Sequence, residues 1–161
     1  MKKVLIKVRD LERSCYMIYR IIGLSDIDAI AAMYVETFNA PPWNDLWTYE
    51  SASKRLLQIA NCEEFYGIVA YDNDELCGMI MGSREEFYTG PMFNIKELCV
   101  KNDKRNKGYG TKIFEEFEKR LKRRGEKEIY LFTLKDERTD AFYYNRGLKN
   151  VDNMIFMSKE L

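Results

Sequence analysis

The stretch from Ile95 through Thr111, IKELCVKNDKRNKGYGT, holds the residues best spaced for chemistry. A strand-forming run leads straight into a loop bearing Gly108 and Gly110, and a helical pattern follows from about Thr111 to Arg124. Such a junction exposes backbone N–H groups at the positive end of a helix dipole. The two glycines let the backbone wrap closely around an anion, while Lys104, Arg105 and Lys107 add charge. Together these features suit a diphosphate. Neither G-x-x-x-x-G-K-[ST] nor G-x-G-x-x-G occurs here, so the loop is not a P-loop or a dinucleotide fingerprint. On these residues alone, an anion cradle and an ordinary basic loop stand level.

The rest of the composition narrows the chemistry. The 161 residues include no histidine. That excludes a Ser/His/Asp triad, a Cys/His dyad and imidazole metal ligation. Acid–base work falls to carboxylates, tyrosine, lysine, cysteine, water or the substrate itself. Cys15, Cys62, Cys77 and Cys99 show no CxxC pair, so the expectation is no metal and reduced, mostly buried thiols in a cytoplasmic protein. The zero net charge hides a cancellation, with −9 over residues 26–99 and +6 over residues 101–124. No apolar run approaches the roughly 20 residues of a membrane span, and the N-terminal apolar run stops at Lys7, unlike a signal peptide.

Hydrophobic spacing supplies the elements that must position the loop. Tyr16 to Ile22 reads as a strand, and a helix capped by Ser25 or Asp26 carries Ile27, Ile30, Ala31, Tyr34 and Phe38 on one face. Pro41-Pro42 ends that segment, and Thr48 to Ala60 forms a second helix. Phe65–Tyr71 and Leu76–Met81 read as a hairpin across Asp72 to Glu75, Gly82–Pro91 as a polar, aromatic loop, and Phe93–Val100 as a strand. The basic helix, capped by Gly125, is followed by a strand at Ile129–Leu134, a helix at Asp140–Arg146 and a closing strand at Val151–Met157. This order predicts one mixed α/β sheet with helices on both faces. Residues 1–15 are read as an N-terminal extension, a strand or an arm, ahead of one domain over residues 16–161.

Arg105-Asn106-Lys107-Gly108-Tyr109-Gly110 resembles the [RQ]-x-x-G-x-[GA] acetyl-CoA loop of the GNAT superfamily of N-acetyltransferases. Glu97-Leu98-Cys99-Val100 is similar to the family's fourth strand, and Phe142 to Leu148 resembles its F-Y-x-x-x-G-F segment with leucine in the last place. The family alanine four places before the tyrosine is Thr139 here. The resemblance implies a mostly antiparallel mixed sheet with a splayed central strand pair. It also implies acetyl-CoA as cosubstrate, with the pyrophosphate on Arg105, Asn106, Lys107, Gly108, Tyr109, Gly110 and Thr111. The pantetheine arm would lie along Leu98, Cys99 and Val100, with the Leu98 N–H polarising the thioester carbonyl.

By the same resemblance Tyr143, four residues before Gly147, is the general acid, with Tyr144 the neighbour most easily confused with it. Glu97 is the base candidate, the alternative being an edge salt bridge. Asp136 stands where many members carry an asparagine on the pantetheine. The family's acceptor regions fall on residues 40–49 and 84–93, which supply Trp43, Asp45, Trp47, Glu85 and Tyr88. Acidic and aromatic groups together suit a cationic amine, and a plain solubilising surface would look the same.

The leading expectation is an enzyme moving acetyl from acetyl-CoA to a small amine by direct attack in a ternary complex, with an aminoglycoside or polyamine as specific options. The competing class is a non-catalytic acyl-CoA-binding sensor, which needs the loop but neither Glu97 nor Tyr143. Nucleic-acid binding through residues 101–124 is disfavoured by Glu115, Glu116 and Glu118 among the basic residues. No nucleic acid or membrane partner is expected. Oligomeric state is left open, with a homodimer as one option.

Overall fold

The computed structural model describes residues 17–161, so the expected extension over residues 1–15 lies outside the described residues. The sheet runs β1 (Met17–Ile21), β2 (Phe65–Asp72), β3 (Glu75–Phe87), β4 (Gly90–Val100) and β5 (Glu128–Leu131) in that spatial order. β1 to β4 pair antiparallel and β5 joins β4 in parallel. One face carries α1 (Ile27–Phe38) and α2 (Tyr49–Ala60), and the other carries α3 (Tyr109–Arg124) with α4 (Glu137–Tyr144) beside it. The mixed, mostly antiparallel sheet between helices is therefore as expected.

The helices start where local chemistry allows. α2 opens on a reciprocal cap, the Ser51 N–H donating to Thr48 Oγ1 at 3.1 Å and the Thr48 N–H to Ser51 Oγ at 3.0 Å. α3 ends at Gly125, whose φ of +85° is the left-handed conformation glycine adopts without strain. Asp136 caps α4, its Oδ1 accepting the Arg138 and Thr139 N–H groups at 3.0 and 3.2 Å, and the Thr139 side chain, together with these backbone bonds, holds its carboxyl below the usual range.

Two elements differ from the sequence expectation. Residues 82–91 are not a loop: β3 continues to Phe87, Tyr88 and Thr89 make the turn, and β4 begins at Gly90. The polar residues there lie on a hairpin that projects past the helices, where a strand can face water. Arg84, for example, pairs with Glu86 at 2.9 Å. The closing strand expected at residues 151–157 does not form either. Among the described residues the sheet edge offers no further ladder beyond Leu131, and Met154 to Met157 lie exposed, with Phe156 meeting the Phe132 ring at 6.2 Å.

The feature that matters most for the site is a β-bulge. Gly82 pairs with Ile95 and Met81 with Glu97, so Lys96 is an extra residue in β4. Phe93 and Ile95 pack in the core under α3, whereas Cys99 packs in the core under α1 and α2. The bulge thus reverses which face the odd-numbered residues occupy and turns Glu97 toward α1 and α2.

Candidate active site

β4 is held on both sides only as far as Ile95, where its pairing with β5 stops. From Glu97 to Val100 it stays bonded to β3, while β5 ends at Leu131 opposite Ile95. The Lys101 N–H donates to Cys77 O at 2.9 Å on the β3 side. Strand alternation then directs the Leu98 and Val100 backbone groups into the gap that β5 leaves.

That gap ends at the N-terminus of α3. Gly108 opens the helix with φ +81°, and Asn106 also takes a left-handed conformation at φ +58°. The intrahelical ladder starts with the Lys112 N–H donating to Gly108 O at 3.1 Å, so the amides of Gly110 and Thr111 face outward at the helix end. Gly110 packs closely under α4: a Cβ there would lie 3.2 Å from Phe142 Cε2, so the ring would have to give by a few tenths of an ångström.

The loop's cations are mostly engaged elsewhere, which revises the charge inferred from the sequence. Lys104 reaches Glu75 at 3.1 Å and Asp72 at 3.6 Å. The Arg105 guanidinium donates to Thr37 O at 2.7 Å and Pro41 O at 3.0 Å. Lys107 is exposed. One cation that the motif did not single out, Arg146, donates to Thr111 Oγ1 and Phe142 O and stacks over the Phe142 ring at 3.5 Å.

On the other face of β4, Glu97 is mostly buried. It accepts the Arg55 Nε–H at 3.0 Å and the Tyr34 hydroxyl at 3.2 Å. Burial pushes its carboxyl up, and the opposing pull of Arg55 and Tyr34 does not cancel that rise. The alternative expected for Glu97 is an edge salt bridge with a nearby lysine; the ion pair that forms is instead with Arg55 of α2. Tyr34 packs against Phe38 at 4.5 Å and edge-on to Trp47 at 5.2 Å, and Phe38 meets Trp43 at 5.1 Å. Asp45 Oδ2 accepts the Trp47 Nε1–H at 3.0 Å and adds negative potential at Glu97. Glu97, Tyr34, Trp47 and Asp45 therefore form one acidic, aromatic cluster, which Trp43 joins through Phe38.

Glu85 and Tyr88 lie apart from it. Glu85 sits four residues along β3 from Met81, the partner of Glu97, which is about 13 Å of strand. Its carboxylate accepts the Tyr130 hydroxyl at 2.5 Å and Asn94 Nδ2 at 3.4 Å. Tyr88, 99% exposed, is at the hairpin tip.

Tyr143 is mostly buried against Phe114 and Phe142, at ring distances of 6.3 and 5.0 Å. Burial pushes its phenol up to about 12, Glu97 adds to the rise, and Arg146 opposes it. Its hydroxyl makes no hydrogen bond among the described residues, whereas Tyr144 is 46% exposed. Cys99 is a core thiol that burial raises to about 12, so only its backbone faces chemistry. Among the described residues no cluster of three or more Cys, Asp or Glu could hold a metal ion, and no helix is long and apolar enough to cross a membrane. A surface hollow of about 780 Å³ lies elsewhere, between Asp28 of α1 and the outer face of α2.

Tyr34, Arg55 and Arg146 were not visible as site residues in the sequence. Each reaches the site through a long-range contact, and only the phenol at Tyr34, on an otherwise apolar helix face, hinted at a buried polar role.

Beyond Ile95, β4 lies free of β5 beside a helix N-terminus, with Glu97 and its aromatic neighbours on the opposite face, an arrangement suited to holding a phosphate-bearing acyl carrier. The family model of the GNAT acetyltransferases matches residues 27–148. The chain belongs to that family. Similar solved structures include a possible acetyltransferase from Clostridium difficile 630, with TM-score 0.76 and 15% identity, covering 90% of this chain and 98% of that one. An aminoglycoside acetyltransferase from an uncultured soil metagenomic sample aligns with TM-score 0.68 and 17% identity, covering 90% and 96%. An aminoglycoside N-acetyltransferase in complex with CoA aligns with TM-score 0.71 and 13% identity, covering 94% and 99%. A search of curated proteins by sequence returns no significant match.

Proposed function

We propose that this chain transfers acetyl from acetyl-CoA to the primary amine of a small cationic acceptor, by direct attack within a ternary complex. The observation that carries this reading is the bulge at Lys96. It turns the Glu97 carboxylate toward Tyr34 and the cluster of Trp47 and Asp45, while the next residues, Leu98 to Val100, lie beyond the end of the β4–β5 pairing.

In this reading the CoA pyrophosphate rests on the backbone from Arg105 to Thr111, held by amides and the helix dipole more than by lysine charge. The Leu98 N–H bonds the thioester oxygen and strengthens that bond as the oxygen becomes an oxyanion. The acceptor arrives as an ammonium and gives one proton to Glu97, directly or through water. Its nitrogen lone pair then forms the new C–N bond, the C–S bond breaks, the departing thiolate takes a proton from Tyr143, and the nitrogen's second proton passes through water to the resulting phenolate, leaving the neutral amide. Aromatic rings and carboxylates attract a cation, and the description of two similar structures as aminoglycoside acetyltransferases is in keeping with such an acceptor. Glu85 and Tyr88 would meet only an acceptor long enough to reach along β3.

A thiol-release screen of aminoglycosides, polyamines, amino acids and peptide N-termini tests the reading, with Glu97→Gln and Tyr143→Phe as controls. Turnover of at least one amine, lost in both variants, is the expected result. Acetyl-CoA binding without turnover on the whole panel would overturn it in favour of an acyl-CoA sensor.

A further inference from the structure

We propose that the Arg105 side chain positions the acceptor loop and is not a ligand of the CoA phosphates. The inference rests on the acetyltransferase reading above, and it separates two roles that one residue of the motif would otherwise combine.

The backbone of Arg105 belongs to the loop before α3, but its side chain runs the other way. Nη2 donates to Thr37 O at 2.7 Å and Nη1 to Pro41 O at 3.0 Å. The guanidinium lies 4.5 Å from the centre of the Trp43 ring. Carbonyls at the C-terminal end of a helix carry partial negative charge and lack intrahelical donors, so a cation there is well matched. The planar fork can serve two carbonyls and a ring face at once, which an ammonium cannot. Asn102, in the same loop, adds a bond from Nδ2 to Glu36 O at 2.9 Å.

The segment so held is the one that carries Trp43, Asp45 and Trp47. At its far end Asn39 clamps Trp47, donating Nδ2 to Trp47 O at 2.8 Å and accepting the Trp47 N–H at 2.9 Å. Arg105 is the matching clamp at the near end. No carboxylate of the described residues pairs with Arg105, and its fork is occupied by the two carbonyls and the ring. Arg105 therefore couples the geometry of the cofactor loop to that of the acidic, aromatic cluster through its side chain.

Both tryptophans of the chain, Trp43 and Trp47, lie in this segment, so intrinsic fluorescence reports on it without any turnover. The test compares wild type with Arg105→Ala, Arg105→Lys and Trp43→Phe. It measures acetyl-CoA Kd by calorimetry, acrylamide quenching of tryptophan emission, and acceptor KM with spermine and kanamycin as probes. Arg105→Ala and Arg105→Lys should both raise quenching about twofold or more and acceptor KM about tenfold. Acetyl-CoA Kd should stay within about threefold. Trp43→Phe should raise acceptor KM in the same direction with Kd unchanged. A tenfold loss of acetyl-CoA affinity in Arg105→Ala that Arg105→Lys restores, with quenching unchanged, would overturn the proposal and make Arg105 a phosphate ligand. If wild type turns over neither probe, the amine that the thiol-release screen identifies replaces them, and turnover of no amine on that panel is what defeats the acetyltransferase reading. The quenching and Kd arms still decide the role of Arg105.

Discussion

Replacing Tyr143 with phenylalanine isolates the proposed proton donor. The ring keeps its edge contacts with Phe114 and Phe142, and the lost hydroxyl has no hydrogen-bond partner among the described residues. Stability should therefore change by no more than about 1 kcal/mol, with Tm level or slightly raised. Catalysis should suffer far more. Burial holds the phenol near 12, so full proton transfer to a thiolate near 8.5 is uphill by about 5 kcal/mol. The donor must then act as the C–S bond breaks, and removing a positioned acid of this kind costs about 10² to 10⁴ in rate. Thiol release under saturating acetyl-CoA measures kcat directly. The pH profile gives a second check: a donor is competent below its own pKa, so Tyr143 should produce no alkaline fall in wild-type kcat before about pH 10. A variant within threefold of wild type would refute the reasoning. So would a wild-type alkaline limb near pH 8 to 9 that vanishes in Tyr143→Phe.

Glu97→Gln should lower kcat by about 10² and abolish the acid limb of kcat/KM. In wild type that limb should lie above the ordinary carboxylate range, because burial raises the group; activity falls as pH drops and Glu97 takes up a proton. Gly82→Ala should disrupt the bulge, since a Cβ there would sit 1.9 Å from Asn94 O, and a fall in Tm of 10 °C or more by thermal melt is the expected outcome. Asp136→Ala removes the α4 cap and should cost about 1 kcal/mol in chemical denaturation, with kcat affected only through the placement of Tyr143.

What the sequence disclosed was the local part of this molecule. The face of α1 shows in the spacing of Ile27, Ile30, Ala31 and Tyr34, and Gly125 marks the end of α3 because left-handed backbone favours glycine. The turn between β2 and β3 is equally local, with Asn73 and Asp74 both at positive φ. Long-range choices were hidden. Arg84, Glu85 and Glu86 read as a loop because polarity alone cannot separate a turn from a strand standing clear of its covering layer. Met154 to Met157 read as a strand because apolarity cannot say whether a ladder partner exists. At the site, the motif located the helix start and Tyr143. It could not reveal that Lys104 is tied to Glu75 or that Arg105 faces α1, since those partners lie far away in sequence. The bulge left no mark in the letters, because Lys96 fits a regular strand as well as an irregular one.

That single extra residue gives β4 two opposite parities. Up to Ile95 the odd positions answer to the aromatic layer beneath α3, and from Glu97 onward they answer to the layer beneath α1 and α2. A saturation scan along this strand should show tolerance to charge switching phase at Lys96. The two halves can then drift independently: the first half under pressure for packing, the second under pressure for chemistry. Aligning a relative through this strand without allowing for the phase change would assign each half the other's constraints.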